Sequence, residues 1–152
     1  MEQNNIETLE SKFDERRAYW VSWTEEMTKC LKDVVKIVDL QSEIYTRRQE
    51  AVENYHTLAN ILAKQTKAYK ERYAAIYNEL RPMKTAPGAT TFMYTTEGTI
   101  RDQIESRLSQ DKYIIDLIES QMNYMDNTIK TIDGIIYAIG SRIKIEEMKL
   151  GR

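Results

Sequence analysis

Apolar residues recur along the first half of the chain at spacings that alternate between four and three residues. From Met27 to Leu80 this alternation continues without a slip, which is typical of the apolar seam of a coiled coil. The seam positions are Met27, Leu31, Val34, Val38, Gln41, Tyr45, Arg48, Val52, Tyr55, Ala59, Leu62, Thr66, Tyr69, Tyr73, Ile76 and Leu80. The pattern predicts one long helix over residues 28–80, which needs a partner to bury its seam.

A second seam, richer in isoleucine, runs through the last third of the chain. It predicts a helix over residues 100–149, and Ile114 and Ile135 widen its stripe beyond two heptad positions, so that it suits more than one neighbouring helix. Isoleucine at both seam positions favours assemblies of more than two helices. We therefore expect a homo-oligomer, held together by Ile115, Ile118, Met122, Met125, Ile129, Ile132, Ile136, Ile139 and Ile143.

Residues 81–99 separate the two seams. They contain both prolines of the chain, Pro82 and Pro87, and a run at Thr91–Thr95 with high β propensity. The segment predicts an ordered loop or a short strand. Either Thr96 or Thr99 is expected to cap the helix that follows.

The first 27 residues predict a separate helical segment. Within it, Ser22–Glu25 matches a capping box, which favours a new helix start there. A hairpin of the two long helices returns only to about residue 30, so Trp20 and Trp23 need cover from a folded-back segment or from another subunit. The predicted fold is all-α, with segment 1–27 and a long helical hairpin over residues 28–152, treated as one domain.

The charge of the chain is unevenly distributed. The net charge is −2, yet the stretch Lys64–Lys84 carries six basic and two acidic residues. One basic island in an acidic chain is typical of a phosphate-binding surface, although such charges also occur on the solvated face of an ordinary helix. The candidate DNA-binding residues are Lys64, Lys67, Lys70, Arg72, Tyr77, Arg81 and Lys84.

Catalytic and metal-binding chemistry has little support in the sequence. Cys30 and His56 are 26 residues apart on one predicted helix, roughly 39 Å at 1.5 Å per residue, so they cannot act together within one chain. No zinc spacing or phosphate-cradling glycine loop occurs. We expect neither an enzyme nor a cofactor. The apolar runs are too short to span a bilayer, and a single cysteine fits the reducing cytoplasm.

Two groups of motifs resemble the UvsY-like recombination mediators of tailed phages. The first is Lys70–Tyr73 followed by Tyr77. The second is Ser109–Lys112, followed by an apolar helix with Tyr124 and by Ala138–Arg142. The motifs gain weight from their order and spacing, because each one alone is short.

This resemblance covers about residues 60–152 and departs from the family at Asn78–Leu80, where a glycine is usual. It implies a protein that binds single-stranded DNA through Lys70 and Arg72, contacts the single-strand-binding protein and loads a RecA-like recombinase. It also implies a ring-shaped homo-oligomer held by C-terminal helices. The alternative is a structural coiled-coil protein, such as a virion or scaffold component, which the long seams suit equally well.

Overall fold

The structure is a computed structural model that describes residues 2–81 and 96–151. These residues form four α-helices and no β-strand: α1 spans Glu2–Cys30, α2 Val34–Leu80, α3 Glu97–Arg107 and α4 Ser109–Lys149. The all-α prediction is therefore confirmed for the part of the chain described. The predicted loop or strand at Thr91–Thr95 lies outside it.

The break between α1 and α2 falls later than the sequence pattern predicts. We placed a helix start at Ser22–Glu25 and a boundary after Met27, whereas α1 continues through both to Cys30. Ser22 and Glu25, the two residues that would close the capping box, both lie inside this helix, where no new helix start needs a cap. The break instead lies at residues 31–33, where the Asp33 carboxylate accepts a hydrogen bond from the Val35 amide at 3.1 Å.

A threonine cap starts α3, as predicted. Thr96 is extended, and its hydroxyl accepts a hydrogen bond from the Thr99 amide at 3.3 Å, which satisfies one of the unpaired amides of the first turn. The helix therefore begins at Glu97 rather than at Ile100. The predicted single helix is also interrupted at Leu108, whose backbone leaves the helical region with φ −102° and ψ 13°.

The chain forms two compact units, and both α2 and α4 contribute to each. Unit 1 comprises Met1–Ala59 and Glu119–Arg152, so it contains α1, the first part of α2 and most of α4. Unit 2 comprises Asn60–Ile118, with the end of α2, all of α3 and the start of α4.

The core of unit 1 includes both tryptophans, whose predicted burial is confirmed. Trp20 is 0% exposed and Trp23 is 7% exposed, and their rings meet edge to face with centroids 5.9 Å apart. The other buried apolar side chains of this unit are Met27, Ile37, Ile44, Ala51, Leu58, Met125, Ile132, Ile135 and Ile139. One chain therefore supplies the cover that the tryptophans need.

Polar contacts fix α1 against α4 of the same chain. The Arg17 Nε atom donates to Gln121 Oε1 at 2.8 Å, and Gln121 is buried. The Arg17 guanidinium lies 5.5 Å from the centroid of the Tyr124 ring, and the Tyr124 hydroxyl donates to the Arg17 carbonyl at 3.1 Å. Because buried polar groups need defined partners, these contacts set the position of α1 along α4.

The buried side of α2 in unit 1 is not the predicted seam. Seam residues Val38 and Tyr45 are 61% and 58% exposed, whereas Ile37 and Ile44 are each 1% exposed. Neighbouring helical residues point about 100° apart, so α2 carries two adjacent apolar stripes. Packing within the chain covers the stripe of Ile37 and Ile44, and the predicted register is wrong for this stretch.

Candidate nucleic-acid interface

Four basic residues of the predicted island are exposed on one side of α2 in unit 2. At about 100° of rotation per residue, these positions spread over roughly 120° of the helix circumference. We call them the lysine face, and they are Lys64, Lys67, Lys70 and Arg81. The remaining lysine of the island, Lys84, lies outside the described residues.

Arg72 does not belong to this face. It follows Lys70 by two residues, and two residues correspond to a rotation of about 200°, so the two side chains leave α2 on opposite sides. Arg72 Nη1 instead lies 2.6 Å from Asp111 Oδ1 of α4. The structure therefore separates the two residues that the family resemblance treats as one DNA-contacting pair.

Two lysines of the lysine face carry charges that the described residues do not neutralise. Lys67 has a distant partner in Glu71, with Nζ 3.8 Å from the carboxylate. Lys64 and Lys70 form no ion pair within residues 2–81 and 96–151. Exposed, unpaired ammonium groups are the groups that a phosphate can contact without breaking an existing interaction.

Unit 2 carries a net positive charge, whereas unit 1 is net negative. That unit contains nine Lys and Arg residues against seven Asp and Glu, whereas unit 1 contains 13 against 17. The acidic overall charge therefore arises in unit 1. A local excess of positive charge matters most at close range, because salt screens exposed charges over about 8 to 10 Å.

The three tyrosines of the island pack against the core of unit 2. Tyr69, Tyr73 and Tyr77 are partly buried against the cluster formed by Leu80, Ile100, Ile104 and Leu108. Packing agrees with the seam positions predicted for Tyr69 and Tyr73, whereas Tyr77 is one of the candidate DNA-binding residues. The Tyr77 hydroxyl donates to Glu97 Oε1 at 3.0 Å. The hydrogen bond to Glu97 and the packing against the core of unit 2 together hold this ring in place.

The contact with Glu97 raises the pKa of Tyr77 above its ordinary value of 10.0. The hydrogen bond to Glu97 is the main cause, the negative charge of Glu97 adds to it, and Arg81 acts in the opposite direction. Because the pKa is raised in the folded state, the contribution of this contact to stability is complete below the unfolded pKa. That contribution is lost as the pH rises through the folded pKa.

We expect Glu97→Gln to lower the pKa of Tyr77 towards its ordinary value, since the carboxylate charge disappears. Titration of ring-labelled tyrosine above pH 9 by NMR measures this, with Tyr77→Phe identifying the signal. A pKa of Tyr77 that is unchanged by Glu97→Gln would contradict the contact.

The sequence analysis did not identify Asp111 as the ion-pair partner of Arg72. Asp111 lies four residues before Ile115 and so continues the apolar seam of the second predicted helix. A carboxylate at such a position needs a cation or a hydrogen-bond donor. A carboxylate at this position therefore indicates that some cation or donor lies nearby, but nothing in the sequence identifies Arg72 as that cation. A second ion pair joins α2 to α3, with Arg107 Nη1 3.4 Å from Glu79 Oε1.

A groove of about 470 Å³ opens beside Tyr69 in unit 2. Two carboxylates line it, which makes it unsuitable for a phosphate despite the neighbouring basic residues. Its lining residues are Tyr69, Glu105, Ser109, Lys112, Tyr113 and Asp116. The candidate phosphate contacts therefore lie on the outer surface of α2 and not in this groove.

The residues predicted to hold an oligomer together are largely used within one chain. Five of the nine are buried, namely Ile115, Ile118, Met125, Ile132 and Ile139. The other four, Met122, Ile129, Ile136 and Ile143, are partly buried. The width of the isoleucine stripe is thus explained in part by packing against helices of the same chain.

Among residues 2–81 and 96–151, no three His, Cys, Asp or Glu side chains are grouped so that they can hold a metal ion. None of the helices described here combines the length and the apolar content required to cross a bilayer. No protein-family model, curated protein or solved structure matches this chain.

Proposed function

We propose that the chain is a recombination mediator that binds single-stranded DNA through the lysine face. In this role it helps to load a RecA-like recombinase in place of the single-strand-binding protein, in the cytoplasm of a host cell. The observation that carries the proposal is the exposure of Lys64 and Lys70 without an ion pair among the described residues. The order of the motifs in residues 60–152 supports the specific role of mediator.

The chemistry of the lysine face favours contacts to phosphates over contacts to bases. Ammonium groups neutralise phosphates and release bound counterions, which gives affinity without sequence information. The nearby tyrosines are packed against the core of unit 2, so stacking on bases contributes little. We therefore expect weak sequence preference and strong dependence on salt.

Assembly into a ring-shaped homo-oligomer remains part of this proposal. Several copies of the lysine face around one strand would act together, so that avidity offsets weak individual sites. Exposed apolar side chains, including Val38 and Tyr45 of α2 and Tyr137 and Met148 of α4, leave surface for contacts between copies.

The alternative is a structural protein without nucleic-acid binding. The length of α2, 47 residues, and of α4, 41 residues, favours it, because long helices are common in scaffolds. The two functions differ in one measurable property, which is salt-dependent binding to a single strand.

The test is a fluorescence titration of a labelled single-stranded oligonucleotide at several salt concentrations. Each phosphate neutralised contributes about −0.7 to the slope of log K against log salt. We expect Lys64→Gln combined with Lys70→Gln to make this slope shallower by about 1.4 if each lysine neutralises one phosphate. Affinity should fall for every base composition alike.

The matched control removes two exposed lysines from unit 1, with Lys29→Gln and Lys36→Gln. It changes the net charge by the same amount and should leave the slope nearly unchanged. Circular dichroism and light scattering verify that the fold and the mass of both variants match those of the wild type. Equal slopes in the two variants, or no binding by the wild type, would favour the structural alternative.

A further inference from the structure

The ion pair between Arg72 and Asp111 is short although it lies partly in solvent. Arg72 Nη1 and Asp111 Oδ1 are 2.6 Å apart, and the side chains are 59% and 24% exposed. A guanidinium has five hydrogen-bond donors in a planar fork that fits a phosphate as well as it fits a carboxylate. The Arg72 side chain therefore has the chemistry and the exposure of a phosphate ligand, but a carboxylate of the same chain already binds it.

We propose that Asp111 competes with the DNA backbone for Arg72 and keeps this arginine out of the nucleic-acid interface. This inference rests on the proposed function, because it concerns binding of the same single strand. It assigns Arg72 to holding α2 against α4 in unit 2 and leaves phosphate contact in the wild type to the lysine face. Removal of the Asp111 charge releases Arg72 and adds one phosphate contact to each subunit.

The position of Arg72 on α2 supports this division. Around α2, Arg72 lies about 160° from Lys70 but only about 80° from Lys64. It shares its side of the helix with Glu79, which forms a further ion pair with Arg107 of α3. On this side of α2 the cation of Arg72 and the carboxylate of Glu79 are each matched to an opposite charge on a neighbouring helix. The lysine face carries two lysines, Lys64 and Lys70, that are matched to none of the described carboxylates.

Replacement of any acidic residue by a neutral one strengthens DNA binding through the overall charge. The experiment therefore needs a control variant that removes a different acidic residue. Asp102→Asn serves this purpose, because Asp102 is exposed in the same unit and forms no ion pair with a described residue. The comparison of Asp111→Asn with Asp102→Asn isolates the part of the effect that depends on position.

The experiment is a double-mutant cycle on the full chain with an oligothymidylate as the probe. Wild type, Arg72→Gln, Asp111→Asn and the double variant are titrated at several salt concentrations, together with Asp102→Asn. We expect Asp111→Asn to steepen the salt slope by about 0.7, the value of one added phosphate. Asp111→Asn should bind more tightly than Asp102→Asn. This excess affinity and the added slope should both vanish when Arg72 is also replaced.

Arg72→Gln alone should leave the wild-type slope unchanged, because the arginine contacts no phosphate in the wild type. A shallower slope in that variant would overturn the proposal. So would an effect of Asp111→Asn that equals the effect of Asp102→Asn, or an excess over Asp102→Asn that persists when Arg72 is also replaced. In each of these cases the salt-dependent binding of the wild type still stands, so the proposed function survives; if the wild type does not bind, both fall.

A measurement on the wild type keeps the test independent of whether Asp111→Asn folds. The Nε–H signal of Arg72 in the NMR spectrum reports the partner of its guanidinium. Saturation with the oligonucleotide should leave this signal in place while it shifts the Nζ signals of Lys64 and Lys70. A shift of the Arg72 signal as large as the lysine shifts would contradict the inference.

Discussion

Replacement of Trp20 by alanine is expected to lower the free energy of unfolding by about 3 to 5 kcal/mol, the range for large aromatic side chains in a core. Trp20 is 0% exposed, and its ring meets those of Tyr19 and Trp23 edge to face at centroid distances of 5.1 and 5.9 Å. The substitution removes these contacts and leaves a cavity. Its indole Nε1 atom is buried without a hydrogen-bond partner among the described residues, so the expected loss comes from packing.

Urea unfolding followed by circular dichroism at a fixed protein concentration measures this effect. Tyr137→Ala is the control, because it removes an aromatic ring of the same unit that is 78% exposed. Exposed substitutions usually change stability by no more than about 0.5 kcal/mol. A Trp20→Ala variant that is as stable as Tyr137→Ala would contradict the burial of the tryptophan.

The sequence predicts those parts of the fold that depend on local signals. The spacing of apolar residues predicts helices, and the extended Thr96 caps α3 because a threonine hydroxyl can accept from an amide three residues later. The burial of Trp20 follows from its size and its place on an apolar stripe. None of these features requires knowledge of which helix lies opposite.

Features that depend on which helix lies opposite could not be predicted from local sequence signals. The stripe through Ile37 and Ile44 lies next to the predicted seam through Val38 and Tyr45, and both carry apolar residues. The spacing of four and three residues selected the second, although the first is the buried one. Contacts with the other helices of unit 1 decide which stripe is buried, including the ion pair of Arg48 with Asp133 of α4. Asp133 is 85 positions from Arg48 in the sequence.

The candidate interface shows the same division. The positions of its cations are visible in the sequence, and the two-residue spacing of Lys70 and Arg72 already places them on opposite sides of any helix. The pairing of Arg72 with Asp111 joins residues 39 positions apart, and only the packing of α4 against α2 brings them together. The sequence therefore supports the existence of a basic surface, and the fold determines which cations belong to it.

The two candidate registers of α2 predict opposite results for neighbouring residues. In the structure Ile44 is 1% exposed and Tyr45 is 58% exposed. We therefore expect Ile44→Ala to lower the free energy of unfolding by about 2 to 4 kcal/mol, as for other buried isoleucines. Tyr45→Ala should change it by no more than about 0.5 kcal/mol, as expected at an exposed position. Alanine is a good helix former, so neither substitution weakens α2 itself.

Unfolding of both variants at a low and a high protein concentration separates the fold of one chain from its assembly. If copies associate through the exposed stripe of Val38 and Tyr45, the stability of the wild type rises with concentration. Tyr45→Ala should then reduce that rise and lower the mass measured by light scattering, while its stability at low concentration stays that of the wild type. A large loss in Tyr45→Ala at low concentration, with Ile44→Ala unaffected, would mean that the stripe predicted from the sequence is the buried one. The packing of α2 against α1 and α4 would then have to rotate by about one residue, or 100°.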